Sequence, residues 1–500
     1  MVWPGVFRCL TIGPSATVIT PAKVEAVEYR RISDVVWELA PFGAMTVPGL
    51  IFASQTLMDL VLLEHATAQV ANVAQLPGIR RASFAMPDIH WGYGFPIGGV
   101  AATDVDADGV VSPGGVGFDI CCGVRLLASN FTEADFNSHR ERVMRNLDQS
   151  IPRGLGKGAI APGDLVPGVL ARGAAAALEA GYGWEEDLER CEEHGTSAGA
   201  DPKTISDHAI ARGRGQLGSL GAGNHFLEVQ VVDEVHDSNV AQAFGLAEGM
   251  LVVMLHCGSR GLGHQTCTDQ LRAMGPAMSS YGITVPDRQL ACVPVRSPEG
   301  DEYLRAMAAS ANFAWANRHV LAHAARQAFA ESFGMSPEKT GMRLVYDVAH
   351  NLAKIETHDV DGRATELCVH RKGATRAFGP GHLDLPEDLR AMGQPVLVPG
   401  SMGTSSWVLR GVVDNPAFFS AAHGAGRVMS RKQAKGRQPG SQVRDQLEAE
   451  GISVRPGSIR LLSEEAPYAY KDVDEVVDVC ARGHLAAKVA RLRPVGVVKG

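Results

Sequence analysis

Six short segments constrain this chain most, because each places a side chain able to bind metal or phosphate among glycines or other small residues. They occupy residues 86–90, 117–123, 221–228, 255–260, 347–351 and 423–427. Small neighbours permit unusual dihedrals and close backbone approach, which is typical of ligand-binding loops. The segments are spread over most of the chain and no clean linker separates them. The pattern therefore predicts an α+β fold: a single large catalytic domain with a mixed β-sheet core and a loop-borne metal site.

Composition excludes several classes of protein. With 45% hydrophobic and 20% charged residues in 500, the chain is typical of folded domains and unlike disordered, collagen-like or coiled-coil chains. The net charge of −8 argues against broad coating of nucleic acid, although a local basic groove is compatible with it. No apolar run approaches the roughly 18 residues of a membrane helix, and residues 1–20 lack a signal-peptide layout. We therefore expect no membrane association and a cytoplasmic location.

The nine cysteines form no C-x-x-C pair, so neither a disulfide framework nor a zinc ribbon is indicated. Some of the thiols are instead candidate metal ligands. Cys121 and Cys257, which adjoin candidate ligands, are interpreted as packed thiols. The remaining cysteines outside position 122 are interpreted as structural, and they are Cys9, Cys191, Cys267, Cys292, Cys368 and Cys480.

Hydrophobic periodicity gives a coarse order of elements. We expect helices over 54–73 and 305–333 and a mostly helical region over 131–215 that is interrupted at 152–168. The expected strands cover 227–233, 250–255, 344–348 and 396–399. Residues 184–193 are strongly acidic and are interpreted as a solvated face, and the basic stretch 429–443 is expected to be exposed.

Asp119 and Cys122 are the sharpest pair of candidate ligands. A carboxylate three residues before a thiol, in a turn flanked by glycines, can direct both groups at one cation. His225, His256 and His350 lie at predicted strand ends and are the natural imidazole donors. Thiolate and imidazole suit Zn(II), and a carboxylate opens the site to Mn(II). Since one sulfur can bridge two ions, these five residues suffice for a two-metal centre that clamps phosphoryl oxygens.

Other motifs are weaker. His319 and His323 have a chelating spacing on the long predicted helix, but packing or exposure is the better interpretation. Residues 213–218 match G-x-G-x-x-G, yet they follow a helix and so fail the context of a dinucleotide site. No Walker A sequence is present, so a nucleotide must be held by other loops. Residues 399–406 suit phosphate or ribose and equally suit an ordinary turn, whereas the three cations of 370–376 favour an anion site.

Together these segments resemble the RtcB family of RNA-splicing ligases. The resemblance is carried by 47–49 and 69–73, by 86–90 with 93–99, and by the terminal 496–500. It spans residues 25–500 and leaves 1–24 as an N-terminal extension. One departure is Cys121, where relatives usually carry Asn or Gly.

The resemblance implies a GTP- and Mn(II)-dependent enzyme. Such an enzyme joins RNA ends that carry a 2′,3′-cyclic phosphate or 3′-phosphate to 5′-hydroxyl ends through a histidine–GMP intermediate. Carried over by motif, His423 is the nucleophile. One Mn(II) would be held by Asp119, Cys122 and His225, and the other by Cys122, His256 and His350. The positions implied around GTP are Asn224, His225, Phe226, Leu227, Glu228, His350, Asn351, Pro399, Gly400, Ser401, Met402, Ser406, His423, Gly424, Ala425, Gly426 and Lys499.

The implied partners are RNA, with tRNA halves as the expected substrate, and an activator of the archease type. Arg212, Arg371 and Lys372 are weaker candidates for RNA phosphates. Two other functions compete with the ligase. A metal-dependent phosphoesterase acting on RNA ends would use the same ligands without needing His423 or Lys499. A noncatalytic RNA-end sensor would keep the basic residues but not need His423.

Overall fold

The structure, a computed structural model, describes residues 15–18, 27–154 and 158–500. Most of the predicted extension 1–24 lies outside these residues, as does Cys9. The described piece of the extension, Ser15–Val18, is a strand that pairs antiparallel with Val27–Ser33.

Runs of strands and runs of helices follow one another along the chain. The strands are β1 (Ser15–Val18), β2 (Val27–Ser33), β3 (Val36–Leu39), β4 (Gly49–Phe52), β5 (Ile79–His90), β6 (Ile97–Asp104), β7 (Val110–Val111), β8 (Gly123–Thr132), β9 (Phe226–Val235), β10 (Met250–Cys257), β11 (Val293–Pro294), β12 (Arg343–Ala349), β13 (Asn351–Val360), β14 (Arg363–Lys372), β15 (Ala374–Arg376), β16 (Pro395–Val398), β17 (Ser406–Arg410), β18 (Ser420–Ala422), β19 (Ser453–Pro456) and β20 (Ala487–Lys499). The helices are α1 (Gln55–Leu63), α2 (Ala66–Val73), α3 (Glu133–Ser150), α4 (Val166–Glu179), α5 (Glu186–Glu189), α6 (Asp207–Gly213), α7 (Ser238–Ala243), α8 (Arg260–Ser280), α9 (Pro298–Phe333), α10 (Glu387–Arg390), α11 (Arg431–Arg437), α12 (Gly440–Ala449), α13 (Ile459–Leu462) and α14 (Val473–Arg482). Across the described ranges, none of these helices combines the length and apolarity that a membrane crossing requires.

Two large mixed sheets organise the fold. The first has the order β1-β2-β3-β4-β5-β6-β14-β13, and the second has the order β12-β8-β10-β9-β20-β17-β16 with β19 beside β20. Helices α3 and α9 cover one face of the second sheet. Its edge strands β12 and β16 contact each other, so the sheet curls around an apolar core of its own. The predicted α+β class and the single large domain with mixed sheets are confirmed.

The expected strands are all present, whereas one expected helix is divided in two and another begins earlier than expected. The helix expected over 54–73 is two helices, because His65 adopts a φ of 58° between them. The helix expected over 305–333 begins earlier, at Pro298, after Ser297 accepts a hydrogen bond from the amide of Gly300. Proline fits the first turn of a helix, where its missing N–H is not needed.

The acidic stretch 184–193 is only partly a solvated face, which corrects the prediction. Glu185, Glu186 and Glu189 are exposed, but Asp187 and Glu192 are buried. Their carboxylates bind cationic side chains, Arg326 for Asp187 and Lys354 for Glu192. The sequence could not reveal these partners because they lie on distant elements. The basic stretch 429–443 contains α11, which is mostly exposed as expected.

Candidate metal and nucleotide site

One end of the second sheet gathers four of the predicted ligands. Cys122 directly precedes β8, His225 directly precedes β9, His256 is the penultimate residue of β10, and His350 directly follows β12. Strands β8 and β9 are antiparallel to β10, and β8 is antiparallel to β12. The first residues of one pair therefore lie opposite the last residues of the other. Strand pairing thus brings together side chains that are far apart in the chain.

These side chains, with Asp119, form a compact His-Cys cluster (Asp119, Cys122, His225, His256 and His350). Sγ of Cys122 lies 3.3 Å from Nε2 of His225 and 3.3 Å from Nε2 of His256. Nε2 of His256 lies 3.3 Å from Nε2 of His350. Oδ2 of Asp119 lies 2.9 Å from Nε2 of His225. The ligand atoms of Cys122, His225 and His256 thus all lie within 4.8 Å of one another, with Asp119 beside His225 at one end and His350 beside His256 at the other.

The charges of the His-Cys cluster suit a cation. Burial raises the pKa of Asp119, but the neighbouring His225 outweighs burial and holds it at about 2. Burial and the adjacent Asp119 raise the pKa of the Cys122 thiol to about 12, so a positive ion is needed to ionise it near neutral pH. Burial holds the pKa values of His256 and His350 well below the ordinary range, which keeps their lone pairs available. The pKa of His225 is raised instead, because Cys257, Cys122 and Asp119 outweigh burial, so this ring must release a proton to bind a metal.

The carboxylate of Asp119 is a second indication of a metal site. Its Oδ1 is buried and has no hydrogen-bond partner among the described residues. A buried acceptor without a partner is costly unless a ligand satisfies it. Gly258 makes room for this oxygen, because a Cβ there would lie 2.5 Å from Oδ1. The donor set and the unsatisfied oxygen together fit a bound metal ion.

His423 lies beside the cluster and is held by Asp88. Nδ1 of His423 lies 2.5 Å from Oδ2 of Asp88, a close contact whose angle is outside hydrogen-bond geometry. The same oxygen accepts the backbone N–H groups of His423 and Gly424 at 3.0 and 3.2 Å. The imidazole of His423 is 4.8 Å from that of His350 between ring centroids. With Nδ1 facing Asp88, Nε2 is the nitrogen left for other chemistry.

Asp88 is a residue that sequence reasoning missed. Segment 86–90 stood out, but 335 residues separate Asp88 from its partner, so no local pattern joins them. Gly426 has a φ of 74°, and a Cβ there would lie 2.2 Å from the carbonyl oxygen of Asp88. Lys471 ties the two loops together, since its N–H donates to the carbonyl of Gly426 and its Nζ donates to the carbonyl of Ile89.

His423 and all members of the His-Cys cluster except His225 border one cavity of about 400 Å³. Of the remaining predicted positions, twelve line it: Asn224, Phe226, Glu228, Asn351, Pro399, Gly400, Ser401, Met402, Gly424, Ala425, Gly426 and Lys499. We call this space the central cavity.

Three of the positions predicted around GTP do not line the central cavity. His225 lies behind Cys122 within the cluster. The side chain of Leu227 points to the opposite side of β9, into the core beneath α3 and α9. The Ser406 hydroxyl accepts hydrogen bonds from the amide of Gly400 and the side chain of Gln230, so it supports the 399–405 loop from behind.

Glu228 and Lys499 place opposite charges in the cavity wall. Burial raises the pKa of Glu228 to about 7, although the charge of Lys499 opposes this. Burial lowers the pKa of Lys499, against the attraction of Glu465 and Glu228. Oε2 of Glu228 accepts a hydrogen bond from Gln230 at 2.8 Å. The charge of Glu228 near neutral pH is thus sensitive to a polar ligand that enters the cavity.

Further cavity residues were not predicted. Buried Glu465 pairs with Arg427 at 3.3 Å and with Arg431 at 3.1 Å, and all three line the cavity with Tyr470. Arg427 ends segment 423–427, which was a signal that could have been used. Glu465 had no such signal, because acidic residues in loops are common.

The anion site expected at 370–376 is only partly supported. Arg371 is buried and its guanidinium binds both carboxylate oxygens of Glu356, so it is not available to RNA. Arg376 is buried beside Glu192. Lys372 does line the cavity, but its Nζ donates to backbone carbonyls and burial lowers its pKa to about 7. The prediction failed for the arginines because their acidic partners lie on other strands or loops.

Other expectations agree with the structure. Cys121 and Cys257 are buried, as predicted for packed thiols. Cys121 adopts a φ of 55°, a conformation that Asn and Gly enter more readily than Cys. His319 is buried and its Nε2 contacts the carbonyl of Tyr182 at 2.9 Å, which fits packing. The 213–218 match follows α6 and not a strand.

Comparison with known proteins identifies the family of the chain. A family model described as "tRNA-splicing ligase RtcB" matches residues 69–500. The RNA-splicing ligase RtcB of Mycobacterium tuberculosis is 59% identical over 436 residues, 86% of this chain and 100% of the relative. The tRNA-splicing ligases RtcB of Archaeoglobus fulgidus and Thermococcus kodakarensis are 54% and 51% identical, covering 94% and 95% of this chain and 98% and 100% of their own. The chain belongs to the RtcB family of RNA-splicing ligases.

Proposed function

We propose that this protein is a GTP- and Mn(II)-dependent RNA ligase. It would join RNA ends that carry a 2′,3′-cyclic phosphate or 3′-phosphate to 5′-hydroxyl ends through a histidine–GMP intermediate. The observation that carries the proposal is His423, oriented by Asp88 and set 4.8 Å from the His350 ring in the same cavity. A site that only bound metal would not need a second, oriented imidazole.

The proposed reaction has three transfers after water opens a cyclic phosphate to a 3′-phosphate. Nε2 of His423 attacks the α-phosphorus of GTP, an N–P bond forms, and pyrophosphate leaves. The RNA 3′-phosphate oxygen then attacks the same phosphorus and the N–P bond breaks, which returns His423 and leaves GMP on the RNA end. Finally the 5′-hydroxyl attacks the 3′-phosphorus, loses its proton and displaces GMP.

Asp88 has a positioning role in this proposal. Its carboxylate fixes the ring of His423 and stabilises the proton on Nδ1, so that Nε2 keeps its lone pair. Two backbone amides hold the same carboxylate oxygen, so the pair is preorganised. The arrangement resembles the way in which a carboxylate orients histidine in other nucleophilic sites.

The His-Cys cluster would hold two Mn(II) ions, with Cys122 shared between them. Bound there, the ions would offset the negative charge of the phosphates. Asp119, His225, His256 and His350 complete the proposed ligand set, and the unsatisfied Oδ1 of Asp119 supports it.

The guanine nucleotide would occupy the rest of the central cavity. Glu228 is proposed to accept the N1–H and 2-amino groups of guanine, because a carboxylate matches two adjacent donors. Lys499 would then balance its charge. Asn224 and Ser401 are proposed contacts of the sugar and phosphates, and the 424–426 backbone lies beside His423 at the α-phosphate.

The natural RNA is proposed to be tRNA halves, because several relatives are named tRNA-splicing ligases. A cytoplasmic location and an activator of the archease type are proposed on the same family resemblance.

Labelling with GTP tests the proposal directly. Incubation with α-labelled GTP and Mn(II) is expected to label the chain through a bond that is acid-labile and alkali-stable, as a phosphoramidate is. His423→Ala should abolish the label, since no other imidazole in the cavity has an orienting carboxylate at Nδ1 within the described residues. His208→Ala, which changes an exposed histidine on α6, is the matched control and should label normally. An unlabelled wild-type chain that still removes RNA terminal phosphates would establish the phosphoesterase instead.

Cys122→Ala tests the shared ligand. Because its sulfur faces both His225 and His256, removing it should weaken Mn(II) binding at least about 100-fold and abolish labelling. Calorimetric titration with Mn(II) measures the first effect. Cys292→Ala removes a buried thiol outside the cavity and should change neither. Full labelling of Cys122→Ala would refute the proposed centre.

A further inference from the structure

Three aromatic side chains pack against one another beside the His-Cys cluster, and two of them are stacked. The rings of Phe118 and His264 lie nearly parallel, with centroids 4.9 Å apart and an interplanar angle of 27°. Tyr93 meets Phe118 edge to face at 5.2 Å. Tyr93 and Phe118 line the central cavity, and Phe118 directly precedes Asp119. We call these three residues the aromatic stack; the proposed function gives it no role.

The aromatic stack is open to solvent, unlike a packed core. Phe118 packs one edge against the core around α8 and α9, but it and Tyr93 are only partly buried. His264 is exposed. The turn that carries Tyr93 also exposes 54% of Trp91. Aromatic surface that stays exposed adds no hydrophobic burial to the stability of the fold, so where it borders a cavity it indicates a binding surface.

The turn that carries Tyr93 is fixed in place from three sides. The amide of Gly92 donates to Gln69 at 2.9 Å, and the amide of Gly94 donates to Gln289 at 2.9 Å. Nζ of Lys372 donates to the carbonyl of Phe95 at 3.2 Å. Because the turn is already ordered, a ligand that stacks here loses little free energy in ordering it.

A cation lies next to the aromatic stack. Arg212 is exposed, and its guanidinium donates to Gln265, the residue after His264, at 3.1 Å. Aromatic faces beside a cation are the usual surface for unpaired nucleic acid, since every base has a stacking face and every linkage carries a negative charge. A base inside a duplex has both faces covered, so this surface selects unpaired ends.

We propose that Tyr93, Phe118 and His264 stack with the unpaired nucleobase of the RNA 3′-phosphate end, with Arg212 at the neighbouring phosphate. The inference rests on the proposed ligase function and adds a substrate class to it, RNA whose 3′-terminal nucleotide is unpaired. The 3′ end is chosen because its phosphate must reach the His-Cys cluster. Phe118 is one residue from that cluster, so the attached base falls within reach of the stack.

Fluorescence of 2-aminopurine, a purine that is quenched by stacking, tests the inference. The probe is the 3′-terminal nucleotide of a short RNA that ends in a 3′-phosphate, titrated with the full chain and Mn(II) but without GTP. We expect strong quenching in the wild type. In His264→Ala and Tyr93→Leu the quenching should be lost and the Kd weakened on the order of tenfold. Tyr93→Phe keeps the ring and should bind as the wild type does.

Controls separate this inference from the proposed function. Tyr281→Ala removes an aromatic residue that is 39% exposed and lies outside the central cavity, and it should leave the quenching unchanged. GTP labelling of the same preparations tests the proposed function separately. If the wild type is labelled by GTP, the proposed function stands, and any of three fluorescence results overturns the inference alone. These results are that the His264→Ala and Tyr93→Leu variants still quench the probe, that a base-paired probe binds equally well, or that a probe at the 5′-hydroxyl end is quenched instead. A wild-type chain that takes no label overturns the proposed function, and the inference with it.

Discussion

Two carboxylates at the same end of the second sheet, the buried Asp347 and the half-buried Asp119, have very different hydrogen-bond partners. Asp347, near the end of β12, is fully paired: Nε of Arg125 donates to it at 2.7 Å, and Nε and a terminal nitrogen of Arg318 donate at 3.0 and 2.8 Å. Asp119 contacts His225, but its Oδ1 has no partner in the described parts of the chain. The paired carboxylate is a structural group, whereas the unpaired one is prepared for a ligand.

The ion pairs of Asp347 also support the site that contains Asp119. Arg318 donates to the carbonyl of Cys121 at 2.8 Å and to the carbonyl of Cys257 at 2.9 Å. These carbonyls adjoin Cys122 and His256, so the guanidinium holds the backbone that carries two proposed ligands. The ion network (Arg125, Arg318 and Asp347) thus forms the base on which the His-Cys cluster is built.

The largest expected effect comes from exchanging Asp347. Asp347→Asn leaves two buried guanidinium groups without their counter-charge and should lower the free energy of unfolding by about 3–5 kcal/mol. The matched change Asp119→Asn should cost about 1 kcal/mol or less, because that carboxylate has one partner where Asp347 has two. Urea unfolding without added metal measures both.

The variant with the smaller loss of stability, Asp119→Asn, should have the larger loss of metal binding and labelling. Asp119→Asn should fold normally yet lose Mn(II) binding and GTP labelling. Equal losses of unfolding free energy in the two variants would mean that both carboxylates are structural, and the comparison would fail.

A smaller effect is expected at Asp88, which extends the comparison to the nucleophile. Its Oδ2 is well paired, but its buried Oδ1 has no partner in the residues described. Asp88→Asn puts an amide against Nδ1 of His423 and favours the tautomer with its proton on Nε2. Guanylylation should slow on the order of 100-fold, about 2.7 kcal/mol of barrier, while the calorimetric affinity for Mn(II) is unchanged.

Asp104→Asn is the matched control for Asp88. Asp104 is also buried but pairs with Arg80 away from the central cavity, so its loss should leave the guanylylation rate unchanged. If Asp88→Asn labelled at the wild-type rate, His423 would need no orienting carboxylate.

The sequence predicted the residues of the His-Cys cluster better than the residues that hold the site in place. Asp119, Cys122 and the three histidines stand among glycines, so they could be recognised locally. Asp88, Arg318 and Glu465 could not, since their meaning depends on partners brought close by strand pairing and loop packing. Arg371 failed for the same reason: a cation beside other cations resembles an anion site until Glu356 is found opposite it.

Prediction of the secondary structure was limited in the same way, because local patterns do not show every break. The four expected strands are present because each is a short apolar run, but most strands of the structure, including β13, β14 and β20, were not predicted. The two helices within 54–73 shared one continuous pattern. The positive φ of His65 that separates them has no signal in the sequence.

The smallest expected effect concerns Glu228, which stands between the two kinds of carboxylate. Burial raises its pKa to about 7 even though Lys499 opposes the shift, so near neutral pH it is partly protonated. Only the ionised form can accept two N–H groups from guanine. Below pH 7 binding therefore requires loss of a proton, and the affinity for guanosine should fall by up to about tenfold per pH unit, or 1.4 kcal/mol.

Guanosine is the right probe for this prediction because it has no phosphates and so avoids the pH dependence of the metal ligands. Affinity measured by calorimetry from pH 5.5 to 8.5 should rise with pH and level off above about 7. Glu228→Gln cannot ionise, so its affinity should be weaker and flat across the same range. If the wild-type profile were equally flat, the side chain would already be charged in the free protein, and Glu228 would belong with Asp347 as a carboxylate paired by the protein itself.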